Sequence, residues 1–121
     1  MTKGKYVDGF VVPVPKRKLK DYQTLAGKAC KLWIEHGALD YVECVADDVN
    51  KGKRTSFPRS VKCKPNETVV FAYIVYKSRA HRDRVNKKVM SDPRIKGMCD
   101  PKNMPFDGKR MFWGGFKSIV A

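Results

Sequence analysis

The stretch from Trp33 to Asp48, Trp-Ile-Glu-His-Gly-Ala-Leu-Asp-Tyr-Val-Glu-Cys-Val-Ala-Asp-Asp, leaves the fold little freedom. A helix ending at His36-Gly37 is followed at once by an alternating strand, so the two must pack antiparallel with hardly a loop between them. Upstream, Leu19, Tyr22, Leu25, Ala26, Ala29, Leu32 and Trp33 recur at three- and four-residue steps, which predicts an amphipathic helix of about 18 residues whose apolar stripe faces a sheet. Tyr-Val-Asp-Gly-Phe-Val-Val-Pro-Val before it reads as a strand from Lys5 to Val14 closed at Pro15. Asp40 to Ala46 is a second strand. Glu67 to Lys77, rich in β-branched and aromatic residues, is a third and central one. Ser78 caps a basic helix through Val85, Val89 and Met90 that stops near Asp92-Pro93, and Asp107-Gly108 turns into a last strand from Lys109 to Val120.

The order β-α-β-β-α-β is the ferredoxin-like, split βαβ arrangement, an α+β fold with two helices on one face of a four-stranded antiparallel sheet. Residues 1–121 fit a single domain, long enough to bury roughly two thirds of its unfolded surface without disulfides or metal. Alternation then sorts side chains by face. Val7, Val11, Val42, Cys44, Ala72 and Ile74 are expected under the helices, and Tyr6, Asp8, Phe10, Tyr41, Glu43, Phe71, Tyr73, Met111 and Trp113 on the open face. So large an aromatic face calls for a partner, and self-association into a closed homodimeric barrel covers it.

Two acids on that face are the sharpest chemical candidates. Inside a dimer barrel Asp8 and Glu43 are desolvated, which raises a carboxyl pKa toward values useful for a general acid or base. With the third strand between theirs they stand about 10 Å apart, too far to share a proton and suited to flanking a small ligand. His36 is a candidate to assist, although a histidine in the last helical turn beside Gly37 is also explained by capping the final carbonyls. Tyr6, Tyr41, Tyr73, Trp113 and Arg110 are the candidates to hold a small organic molecule; in the blander reading these aromatics are dimer core, with the tyrosines and Arg110 pairing the two acids.

Other classes are excluded or weakened by composition. No nucleophile elbow, phosphate loop or dinucleotide fingerprint is present, so no reaction is named and no cofactor is called for. Cys30, Cys44, Cys63 and Cys99 stand apart with only two histidines, His36 and His81, in the chain, which argues against a metal site and suits a reducing compartment. Cys30 and Cys44 are expected as small buried hydrophobes. The absence of a leader-like or membrane-spanning apolar run makes a cytoplasmic protein the expectation, with no membrane partner. The net charge of +14 favours polyanions. It is spread along the chain, except that residues 39–48 carry four acids and no base while Lys51, Lys53, Arg54, Arg59, Lys62 and Lys64 follow with no acid between them. That basic connection is where an RNA-binding surface would lie, the alternative to a small-molecule site; a non-catalytic structural dimer is the third reading.

The segments Tyr-Val-Asp-Gly-Phe-Val-Val-Pro-Val-Pro at 6–15, Glu-His-Gly-Ala-Leu-Asp-Tyr-Val-Glu-Cys at 35–44, Thr-Ser-Phe-Pro-Arg at 55–59 and Asp-Pro-Lys-Asn-Met-Pro-Phe-Asp-Gly-Lys-Arg-Met at 100–111 resemble the bacterial YbaA-like family, nearly end to end. The resemblance implies a dimeric α+β barrel of ferredoxin-like topology. That superfamily includes cofactor-free monooxygenases, haem-degrading enzymes and lactone isomerases, although the family itself has no assigned function. Some of its members bear a name linking them to signal-recognition-particle RNA. Fold carries over from such a resemblance better than activity does. The family tends to be acidic around the first helix, and this chain departs from it with Lys16, Arg17, Lys18 and Lys20 there, cations that oppose the helix dipole.

Overall fold

The computed structural model describes residues 5–98, 100, 102 and 104–121. Strand β1 (Tyr6–Pro15) passes through a 3-10 turn at Lys16–Lys18 into helix α1 (Leu19–Glu35); β2 (Asp40–Val45), a short helix α2 (Phe57–Ser60) and β3 (Glu67–Tyr76) follow, then α3 (Arg79–Ser91), α4 (Arg94–Met98) and β4 (Phe112–Lys117). The sheet is antiparallel in the order β2-β3-β1-β4, so the two longest strands are central. This is the expected α+β, ferredoxin-like fold. Gly37 takes φ +114, a conformation that costs other residues a steric clash, and lets the chain leave α1 directly into β2. Ser78 caps α3 by accepting the backbone N–H of His81 at 3.1 Å. Expected and observed boundaries agree within a few residues. The short helices α2 and α4 are additions, and the Cys99 position falls outside the described residues.

Pairing register corrects which face is covered. Directly opposed residues of an antiparallel pair share a face, and Asp8 opposes Ile74, Phe10 opposes Ala72 and Trp113, Tyr41 opposes Ile74 and Glu43 opposes Ala72. Ile74 and Tyr76 pack with Leu32 of α1 and with Val85 and Val89 of α3. Tyr6, Asp8, Phe10, Tyr41, Glu43, Met111 and Trp113 therefore lie under the helices, and Val7, Val11, Val42 and Cys44 on the opposite face, the reverse of what the alternation suggested. The expectation is right for β3, where Ala72 and Ile74 face the helices while Phe71 and Tyr73 face away. The physical reason is that small side chains on α1, Ala26 and Ala29, leave room for big ones at that interface, and α3 brings a cation, Arg82, needing an acid beneath it.

The far face is partly covered by its own chain. The connection from 46 to 66 folds over one end, seating Val61 on Val11 and Val69 and Phe57 against Phe71 at 6.0 Å between centroids. Beyond it Phe71, Phe112 and Phe116 remain exposed, Phe116 at 65%. Cys44 is exposed too, not a buried hydrophobe, because it shares that face.

Candidate functional site

Between α1 and the sheet lies a cavity of about 220 Å³. Its α1 wall is Tyr22, Leu25, Ala26, Ala29 and Trp33, which helical periodicity stacks on one face. Its floor is Phe10 and Val12 of β1, Ala72 and Ile74 of β3, and Tyr41 and Glu43 of β2; Ile95 and Met98 of α4 and Met104, Phe106 and Met111 after it close the side. Alanines at 26, 29 and 72 stand where larger side chains would fill the space. For scale, an apolar cavity of about 150 Å³ suffices to bind benzene.

One carboxyl group enters this lining. Glu43 accepts a hydrogen bond on Oε1 from the Tyr22 hydroxyl and one on Oε2 from the Tyr41 hydroxyl at 2.6 Å. Tyr41 and Glu43 are two apart on β2, hence on one face, and Tyr22 reaches them from the first turns of α1. Burial, reinforced by the adjacent Glu43, drives both phenols far above their ordinary pKa, so they remain hydrogen-bond donors across the physiological range. Tyr22 is further fixed edge-on against Phe106 at 5.5 Å. The result is a carboxyl group gripped by two hydroxyls at the edge of an apolar chamber.

Asp8 sits elsewhere on the same sheet face, away from the cavity lining. It is 1% exposed, and Arg82 of α3, itself 9% exposed, donates from Nη1 to Asp8 Oδ1 at 2.8 Å. Burial raises the Asp8 pKa against the opposing pull of Arg82, with the Tyr76 hydroxyl and Asn86 also bonded to it. The Arg82 guanidinium lies 5.0 Å from the Tyr6 ring centroid and 5.9 Å from that of Trp113, and Trp113 stacks on Phe10 at 6.1 Å. Asn86 joins this cluster to the cavity by accepting the Trp33 Nε1–H at 3.0 Å.

The remaining candidates are dispersed. His36 Nε2 lies 2.9 Å from Asp92 Oδ2 at the junction of α3 and α4, and lines no part of the cavity. Tyr73 faces the opposite side of the sheet. Arg110 grips Glu67 with both terminal nitrogens at 2.8 and 2.7 Å and Asp107 at 2.9 Å, which ties the start of β4 to β3. In the basic connection, Arg59 donates to the carbonyls of Lys51 and Gly52, whereas Lys51, Lys53, Arg54 and Lys62 are exposed. Tyr22 is the residue the sequence reading missed as a site group: it lies on the inward stripe of α1, where a phenol needs an acceptor, and Glu43 is that acceptor. Among the described residues no cluster of three or more ligating side chains could hold a metal, and no helix is long and apolar enough to cross a membrane.

Fold and cavity together define a small α+β protein with a ligand-sized chamber under its helices. Residues 5–108 match the family described as Protein of unknown function (DUF1428), and the chain belongs to that family. The Uncharacterized protein YbaA of Escherichia coli (strain K12) is 54% identical over 116 residues, 96% of this chain and 97% of that protein; YbaA of Shigella flexneri matches to the same extent. Among solved structures, SnoaB, a cofactor-independent oxygenase from Streptomyces nogalater, superposes with a TM-score of 0.59 over 98% of this chain and 96% of that one, at 10% identity. That likeness is one of fold.

Proposed function

We propose that the protein is a homodimer that binds a compact, largely apolar organic molecule in the cavity under α1, and that Glu43 removes a proton from it. The observation carrying this reading is the Glu43 carboxyl held by Tyr22 and Tyr41 in an otherwise apolar chamber. A hydroxyaromatic or enolisable ligand fits such a site: its rings pack on Trp33, Phe10 and the methionines, and its acidic hydrogen meets a carboxyl oxygen. The proton passes to Glu43 and the electron pair stays on the ligand, spread over its conjugated system. Returned to a different carbon, that proton completes an isomerisation. Intercepted by dioxygen, the anion is oxygenated: one oxygen atom enters the ring as a quinone oxygen and the other leaves as water with the two hydrogens the ligand gives up. The cofactor-independent oxygenase activity in SnoaB's name supports the second outcome on this fold. Asp8, locked to Arg82, serves architecture in this reading.

The homodimer rests on the other sheet face. Phe71, Phe112 and Phe116 are 43%, 47% and 65% exposed and are joined there by Tyr73, Val42 and Cys44; an apolar patch of that kind is covered by a second copy in the barrel arrangement. Native mass spectrometry on protein purified from cells tests both halves. A dimer carrying an adduct of defined mass, lost when Ala29→Trp fills the chamber, is the expected result. A monomer would remove the assembly, and a chamber that takes up neither a cellular adduct nor added 2-naphthol would remove the ligand.

A further inference from the structure

We infer that the molecule held in the cavity carries an anionic group, carboxylate or phosphate, that stays outside it on a cationic rim formed by Lys28 and Lys31; this rests on the ligand reading above and names the ligand's second end. Beside the chamber, between α1 and α4, runs an outer groove of about 420 Å³. Leu25 and Met98 belong to both spaces, so the same two side chains form the cavity wall and the groove floor. The groove's other lining consists of Leu32, Gly97 and three cations, Lys28, Lys31 and Arg94, with no acidic side chain among them.

The charges are placed for a ligand. Lys28 and Lys31 are exposed and make no ion pair among the described residues, although Lys31 lies within electrostatic range of Glu35. Glu35 itself is bound by Arg94 Nη2 at 2.8 Å, and Asp92 is shared by Arg94 and His36. The neighbouring carboxylates are thus occupied by Arg94 and His36, and the two lysines keep their capacity for an incoming anion. Along α1, Tyr22 marks the Glu43 end, and Lys28 and Lys31 follow six and nine residues later, roughly 9–14 Å along the axis at about 1.5 Å per residue and about a third to half a turn round it, on the groove side of Leu25. A neutral ligand would leave these cations to water; one with an acidic hydrogen at Glu43 and an anion at the rim satisfies both ends.

Three fluorescent probes separate this inference from the reading beneath it: 2-naphthol, 6-hydroxy-2-naphthoate and 6-hydroxy-2-naphthyl phosphate, titrated into the intact protein and into the Lys28→Ala/Lys31→Ala variant. All three are expected to bind, the anionic probes about tenfold more tightly for two partly exposed charge pairs. That advantage should vanish in the double variant and in about 1 M salt, where the screening length falls to about 3 Å, while 2-naphthol binding stays as in the unaltered protein. The tighter of the two anionic probes identifies carboxylate or phosphate as the preferred group. Equal affinity for neutral and anionic probes would overturn the rim and leave the cavity standing. Failure of all three to bind would overturn rim and cavity together.

Discussion

Replacing Arg82 by methionine tests how the helix-covered face is held together. The substitution preserves much of the side-chain volume and removes the charge, leaving the Asp8 carboxyl at 1% exposure with no cation beside it. Breaking a buried pair from one side costs about 3–5 kcal/mol. For 121 residues at about 2.1 cal/mol/K of unfolding entropy each, the melting temperature should fall by roughly 12–20 °C near neutral pH. The loss carries a pH signature. Asp8 already sits above its ordinary value of 3.8 because of burial, and without Arg82 nothing but hydrogen bonds opposes that shift, so its folded pKa rises further. A carboxyl with a raised folded pKa binds its proton more readily in the fold than in the unfolded chain. The variant's deficit is therefore largest above its own folded pKa and shrinks as pH falls from there to the parent's folded value, which itself lies above 3.8. Asp83, largely exposed, also loses its 2.8 Å bond to Arg82 Nε; the remaining carboxylates are common to both proteins and cancel in the difference. Thermal melts of parent and variant at pH 7.5 and pH 5, with Asp8→Asn/Arg82→Met alongside, measure this directly. A deficit below about 1 kcal/mol, a deficit equal at both pH values, or a double variant no more stable than the single one would refute the reasoning.

Three further outcomes follow from named contacts. Glu67 is held below its ordinary value of 4.5 chiefly by Arg110, so its contribution is complete above 4.5 and is lost as pH falls through the lower folded value; Glu67→Gln should cost about 2 kcal/mol at pH 7 in urea titrations and flatten the loss of stability on acidification. A methyl group at Gly115 would meet the Tyr6 hydroxyl and ring carbons, with the Tyr6 ring already pinned beneath Arg82; Gly115→Ala should lower stability by about 1–3 kcal/mol, and Tyr6→Ala in the same chain should recover part of it. Phe116→Asp places a charge on the exposed sheet face and should convert the proposed dimer to a monomer in size-exclusion chromatography while 2-naphthol binding survives, because the cavity lies on the other side of the sheet.

The elements were legible because each has strong local marks: Gly37 at a positive φ, Ser78 as a cap, and β-branched runs in the two central strands. Alternation showed which residues of each strand travel together. It could not show which set lies under the helices, since a period of two is blind to a slip by one residue. In β1 both sets are apolar enough to be buried: Tyr6, Phe10, Val12 and Val14 on one side, Val7, Val11 and Pro13 on the other. The short helices α2 and α4 carry caps, Ser56 and Asp92, but are too short for any apolar periodicity to show, and the covering of Val11 and Val69 by Val61 depends on a long connection whose path no local pattern sets.

The missing phase was nevertheless written in the helices. Arg82, Val85 and Val89 fall on one stripe of α3 and all are buried, so a cation points inward and requires an acid on the sheet face beneath it. Asp8 is the one acid β1 can offer. The same logic holds for α1, where Tyr22 lies on the inward stripe with Leu32 and a buried phenol requires an acceptor, which β2 supplies as Glu43. Each polar residue on a helix stripe therefore selects its partner on a strand, and either pairing alone sets the sheet's orientation. That orientation in turn divides the two acids. Asp8, bound to a guanidinium and enclosed by aromatic rings, has its charge neutralised in place; Glu43, bound to two neutral hydroxyls beside open space, is the carboxyl on which the proposed ligand chemistry rests.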